Sequence, residues 1–178
     1  MKPLISTAII ILISCMLFSC STIPDGIKAV RPFDKNKYLG KWYEIARLDF
    51  KFERNLNNTT AEYSINKDGT IKVFNRGYNT KTNKWKTATG KAKFVNDEHT
   101  AMLKVAFFGP FYSGYNVIAL DKEYKYALIA GKNLKYLWIL SRDTTLPEEV
   151  KKNYLSLAQS AGFKINELVW VRHDKQLP

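Results

Sequence analysis

Few of the 178 residues have the types and spacing that reaction chemistry requires. The chain holds two cysteines, Cys15 and Cys20, and two histidines, His99 and His173. His99 falls in a predicted turn at 96–99 and His173 lies near the C-terminus, so neither is placed to serve as the base for an interior nucleophile. There is no GxSxG elbow, phosphate-binding glycine loop, Cys/His metal cluster or HExxH helix. Glu44 and Glu53 are not evidently paired for acid–base work, although Glu44, on a strand, can face an interior. These residue types predict no catalytic group, no metal site and no cofactor. The chemistry that remains is that of the thiols.

Leu17-Phe18-Ser19-Cys20 closes a stretch in which Lys2 is the only charge and residues 4–18 are mostly apolar. A charged start, an apolar middle and a small residue before the cut describe a secretory signal peptide. The stretch is shorter than the roughly 20 apolar residues of a membrane span; an uncleaved anchor is the alternative, and no later segment is apolar enough to cross. The last four residues resemble the bacterial lipobox, in which the cysteine is acylated and the chain is cut ahead of it. Leu12-Ile13-Ser14-Cys15 matches equally well, but cleavage there leaves apolar Met16-Leu17-Phe18 at the new terminus, whereas polar Ser21-Thr22 follow Cys20. Cys20 is therefore preferred to Cys15. The expected division is a signal peptide at 1–19, a lipidated N-terminus and linker at 20–32, and one folded domain at 33–178. Cleavage and acylation leave no disulfide and no free thiol. At about 0.8 kcal/mol per buried methylene, two or three acyl chains hold a protein durably on a membrane. Ser21, in place of Asp, resembles the signal for sorting to the outer membrane.

A chain that is 46% hydrophobic and 13% aromatic can cover one sizeable core without a metal or disulfide staple. The formal net charge of +12 drops by one when Lys2 leaves, and the cations are scattered. They make either a solvated surface or an attraction to anionic lipid head groups, worth about 1 kcal/mol per well-placed cation. Nucleic acid is not an expected partner of an exported chain.

After a linker with Pro24 and Pro32, alternating apolar and polar runs recur about every ten residues, separated by Asn, Asp, Gly and Lys clusters. That spacing predicts an all-β barrel or sandwich of eight antiparallel strands. They fall near 41–47, 59–66, 70–78, 85–95, 100–108, 114–121, 125–131 and 135–141. Four show their register. Ala61, Tyr63 and Ile65 alternate with Glu62 and Ser64, and Ile71, Val73 and Asn75 with Lys72 and Arg76. Ala88, Gly90, Ala92 and Phe94 alternate with Thr87, Thr89, Lys91 and Lys93, and Leu103, Val105 and Phe107 with Lys104. The first-named set of each should face inward. The last three strands are apolar on both faces, so something must cover them. Residues 147–161 supply it: Val150, Tyr154, Leu157, Ala158 and Ala161 recur at helical spacing, behind Pro147 and Glu148-Glu149 and ahead of Gly162. This helix is expected outside the barrel, followed by a short final strand near 167–172.

Gly40-Lys41-Trp42-Tyr43-Glu44 opens the first strand, Asp121-Lys122-Glu123-Tyr124 separates the sixth from the seventh, and Arg142 ends the eighth. Three motifs in this order resemble the lipocalins. The longer strings GKWYEIAR, FFGPFYSGYNVIALD and YLWILSR are similar to the bacterial branch of that family, kin to apolipoprotein D. The resemblance covers nearly all of the chain after the signal peptide and implies an up-and-down barrel. In it Trp42, beside Gly40, stacks with Arg142 across the closed end as a structural plug. The middle motif departs from the pattern, with Leu120 where the family has threonine and with its tyrosine displaced to Tyr124.

With Trp42 at the closed end, loops at 48–58, 79–84, 109–113 and 132–134 ring the mouth. An eight-stranded barrel either fills its interior with side chains or holds one small ligand. Ala61, Ala88, Gly90 and Ala92 are small, and the family register adds Ala119, Ala127 and Gly131, so a cavity is expected. The same register sets Tyr115, Val117, Ile129, Tyr136 and Trp138 beside Val73, Val105 and Phe107, with Asn75 and the phenols to orient a polar group. Each aromatic alone fits core packing equally well; their concentration around small residues predicts the pocket. The resemblance implies fatty acids or lysophospholipids as partners, stored or moved to support the outer membrane, with the periplasmic face as the expected location. It also implies that the chain can form a homodimer. Phe50, Phe52, Phe111 and Tyr112 form a mouth rim that meets membrane, ligand tail or a second subunit, or simply anchors its own loops. Two alternatives stay open: a structural or adhesive lipoprotein with a filled barrel, and, because a few lipocalin relatives are enzymes, an isomerase or hydrolase.

Overall fold

The computed structural model describes residues 22–176. The expected signal peptide, Cys15 and Cys20 lie outside these residues. The first element is a one-turn helix, α1 (Lys35–Tyr38), capped by the Asp34 carboxylate, which accepts from the Asn36 backbone N–H at 2.9 Å. Eight strands follow: β1 (Gly40–Leu48), β2 (Leu56–Ile65), β3 (Ile71–Asn79), β4 (Lys84–Phe94), β5 (Met102–Ala106), β6 (Ser113–Leu120), β7 (Tyr126–Ala130) and β8 (Leu137–Ser141). Each is antiparallel to the next, and β1 pairs with both β2 and β8, which closes the barrel. Helix α2 (Glu148–Ser160) and β9 (Leu168–Trp170) complete the fold. The all-β class, the outer helix and the final strand match the spacing of the sequence. β9 is only three residues long and pairs with the mouth half of β1.

Alternation divides the apolar residues between two cores. Tyr38, Trp42, Tyr63, Val73, Val117 and Ile129 belong to the inner cluster. Ile45, Ala46, Leu128, Ala130, Leu137 and Ile139 form an outer cluster with Tyr154 and Ala158 of α2. The Tyr154 hydroxyl donates to the Tyr126 carbonyl at 2.8 Å, fixing the helix to β7. Leu157, on the predicted apolar stripe, is exposed instead. A helix lying tangent to a curved barrel touches it along a narrow line.

Three bulges decide which residues enter the lumen. In β1 the register with β8 slips between Glu44 and Ala46, so Ile45 and Ala46 both turn to the outer core while Glu44 stays on the lumen wall. The slip also brings Arg47, three positions on, to the side of Glu44. In β2 the pairing with β3 slips between Asn57 and Thr60. In β6 the slip falls between Val117 and Ala119, and it carries Ala119, expected inward, to the outer core. Ile65, also expected inward, is exposed at the closed end, where β2 runs past the core. The strand ladder and both cores lie within residues 22–176, so a chain beginning at Ser21 carries the complete barrel.

Candidate ligand-binding cavity

The closed end is plugged by one side chain. The Arg142 guanidinium lies 3.8 Å from the centroid of the Trp42 ring. Its Nη2 donates to the carbonyls of Lys37, Tyr38 and Leu39 at 2.8, 3.2 and 2.9 Å, its Nη1 to Lys41 at 2.8 Å and its Nε to Tyr124 at 3.2 Å. Gly40 turns the chain beside it at φ 91°, and a Cβ there would stand 3.4 Å from Nη1. The Trp42 indole N–H donates to the Tyr38 carbonyl at 2.8 Å, so α1 is tied down from both sides.

Above this plug is a cavity of about 620 Å³. Val73 and Asn75 of β3 line it, as do Val105 of β5, Phe107 just beyond it, Tyr115 of β6, Tyr136 just before β8 and Trp138 within it. Ala61, Ala88 and Ala92 lie among them and leave the space open. Gly90 is small of necessity, because a Cβ there would come within 2.8 Å of the Phe107 ring. Val117 and Ile129, expected on this wall, are fully buried in the inner core and do not line the cavity. Tyr115 stands on the wall next to Val117 along the inward face of β6.

Besides Lys35, Arg76 and Lys86, which also line the cavity, two polar groupings break the apolar surface. One is a chain of phenols: Tyr38 and Tyr63 lie with their hydroxyls 2.6 and 2.8 Å from that of Tyr115. Burial raises all three above the usual phenol range, so they keep their protons. Three O–H groups joined by two hydrogen bonds leave one donor for a ligand acceptor. Tyr38 reaches the cavity from α1, an element that periodicity did not reveal.

The other grouping is ionic. Arg47 Nη1 donates to Glu44 Oε1 at 2.6 Å, and Nη2 to the backbone carbonyls of Glu53 and Leu56 at 2.7 and 3.0 Å. The Trp138 indole N–H donates to Glu53 Oε2 at 2.9 Å. Burial lifts the Glu44 carboxyl to about 8, the negative charge of Glu53 adds to the rise, and Arg47 opposes it. Burial lifts Glu53 as well, against the pull of the Trp138 hydrogen bond and Arg47. One guanidinium offsets one negative charge, so near neutral pH the two carboxyls retain a proton between them. Glu44 was legible as a residue able to face inward. Arg47 was not, because residues three apart on a regular strand point to opposite faces, and only the bulge reunites them.

At the mouth, Phe50 folds inward, edge-on to Tyr136 at 5.6 Å and Trp138 at 5.5 Å. Phe52 and Phe111 instead stand 72% and 82% exposed, joined by Phe108, which alternation did not single out for the rim. Tyr112 lies beneath the ammonium groups of Lys93 and Lys104. Neither histidine lines the cavity: His99 is exposed, and His173, half-buried against Tyr43, meets the Glu44 backbone oxygen at 2.9 Å. Among the described residues no helix is long and apolar enough to cross a membrane, and no group of three His, Cys, Asp or Glu is disposed to hold a metal.

Comparison with known proteins agrees with this architecture. Residues 33–173 match the family model of the lipocalin-like domain. The chain is 51% identical over 166 residues to the outer membrane lipoprotein Blc of Citrobacter freundii, covering 93% of this chain and 92% of the relative. Against the protein of the same name from Escherichia coli strain K12 it is 48% identical over 172 residues, or 96% of each chain. Rat apolipoprotein D is 36% identical over 125 residues, 66% of this chain and 65% of that one. Among solved structures, insecticyanin of the tobacco hornworm Manduca sexta superposes with a TM-score of 0.68 at 22% identity, covering 85% of this chain and 87% of that one, a likeness of fold. The chain belongs to the lipocalin family, in the branch that holds the bacterial outer membrane lipoproteins.

Proposed function

We propose that the protein binds single amphiphiles, fatty acids or lysophospholipids, in this cavity and stores or transports them at the outer membrane in support of its maintenance. The observation that carries the reading is a lumen of about 620 Å³, walled by apolar and aromatic side chains and interrupted only by a few polar groups. Val73, Val105, Phe107, Tyr115, Tyr136 and Trp138 would hold an acyl chain, with Asn75 near its head and Val117 and Ile129 supporting the wall from the core. The gross gain from burying about fourteen methylenes is near 11 kcal/mol. Ordering and association costs of several kcal/mol bring this toward micromolar affinity, which suits reversible carriage. Acyl chains on Cys20 would hold the barrel to the membrane, as the names of the bacterial relatives support. The role is binding, not catalysis, and it calls for no cofactor.

Native mass spectrometry of residues 21–178 titrated with lysophospholipid and with fatty acid tests this reading. It predicts one ligand per chain, saturating in the micromolar range. Absence of any complex up to ligand solubility would replace it with a structural envelope lipoprotein.

A further inference from the structure

The carboxyl pair in the cavity wall sets two acids against one guanidinium, and near neutral pH it makes up the difference by keeping a proton that a bound cation can displace. Glu44 and Glu53 share one guanidinium, and its Nη1 and Nη2 are already committed, to Glu44 and to the carbonyls of Glu53 and Leu56. Arg47 Nε stands 3.9 Å from Glu53 Oε2, too far for a hydrogen bond, and has no partner among the described residues. The Trp138 indole occupies that same oxygen of Glu53, a residue that lines the cavity.

The same cavity wall carries acceptors that the described residues leave unused. The Thr59 hydroxyl and the Asn75 amide oxygen are buried without a partner among the described residues, and both residues line the cavity. Thr59 is only 3% exposed. The ladder gathers these groups into one sector. Ala61 pairs with Asn75, and the Thr59 hydroxyl stands 3.4 Å from where a Cβ of Gly77, the next inward position of β3, would lie, beside Leu56, whose carbonyl accepts from Arg47. Each buried polar group left unpaired costs about 1–3 kcal/mol, so a ligand that satisfies several is favoured at this spot.

We propose that this sector is a head-group subsite for a primary ammonium, so that the protein takes amphiphiles bearing an amine, held by Glu53, Thr59 and Asn75 beside Glu44. The inference rests on the reading of the cavity as a lipid site and names the head chemistry that the site selects. A primary ammonium brings three donors, no acceptor and one positive charge, the complement of an acceptor-rich sector whose carboxyl pair can give up its shared proton to a cation. A carboxylate or phosphate head has the opposite pattern and would face two glutamates across a guanidinium with only Nε uncommitted. The formal net charge of +12 favours anionic ligands at long range, so a preference for an amine has to arise locally.

The test uses three probes with the same twelve-carbon chain, dodecylammonium, dodecanol and dodecanoate, titrated into residues 21–178 at neutral pH below their micelle concentrations. The ratio of affinities within each protein is the readout, because a loosened cavity weakens every probe together. Dodecylammonium should bind about tenfold or more tightly than dodecanol in the unaltered chain, and the ratio should fall close to one in Glu53→Gln. A ratio near one in the unaltered chain overturns the inference, as does a preference that survives in both Glu53→Gln and Glu44→Gln. If dodecanol and dodecanoate bind and the amine is not preferred, the lipid-site reading stands and the subsite alone fails. If none of the three binds, both fail.

Discussion

Gly90 and Glu44 show how single residues set the shape and the charge of this cavity. At Gly90 an added methyl would come within 2.8 Å of both the Ala106 carbonyl oxygen and the Phe107 ring, and a backbone oxygen in a ladder cannot give way. Gly90→Ala is therefore expected to displace Phe107 and lower stability by about 1–3 kcal/mol. Urea unfolding is the measurement, and an unchanged midpoint would show that the strands yield freely. Glu44 has its carboxyl lifted from 4.5 to about 8 by burial, so between those values the folded chain binds more protons than the unfolded one. Its contribution is fully present below about 4.5 and is lost as pH rises through about 8. Stability should accordingly decline across that window, and Glu44→Gln should flatten the decline. An identical slope in the variant would assign it to another group.

At the scale of elements, strands announced themselves and irregularities did not. The paired alternation at Ala61 and Tyr63, Val73 and Asn75, and Ala88 and Ala92 is a direct imprint of the lumen face, so those positions were readable. Ala119 was not, because a bulge adds one residue to a strand without leaving a mark in its apolar pattern. The one-turn α1 is likewise too short for a helical period, yet it supplies Tyr38 to the cavity and, with the Leu39 that follows it, three carbonyls to Arg142. That plug makes a prediction about elements. A lysine at 142 keeps the charge but lacks the fork that reaches five carbonyls on α1, β1 and the turn before β7. Arg142→Lys should cost about 1–3 kcal/mol and lower the Tm, with fluorescence of Trp42 shifted to the red. A Tm equal to that of the unaltered chain would mean that water serves those carbonyls as well as the guanidinium does.

For the whole molecule, fold class and the general character of the cavity were both legible, the first from strand spacing and the second from small residues set among aromatics. The ionic sector was not, since it is assembled from β1, β2, β3, β8 and the first mouth loop by two bulges that no local pattern shows. Anchoring belongs to this scale too. Cells fed labelled palmitate should incorporate it into the chain and into Cys15→Ala, but not into Cys20→Ala. Label retained in Cys20→Ala would move the acylation site.

The central claim is that an acyl chain lies inside the barrel against Trp138, and bromine quenching reads that contact directly. Lysophospholipids brominated at different depths of the chain would be titrated into residues 21–178 and into Trp138→Phe. The account predicts saturable, depth-dependent quenching of the unaltered chain and loss of most of it in the variant. Quenching equal in the two proteins, or none while ligand is bound, would place the lipid outside the lumen and contradict the account.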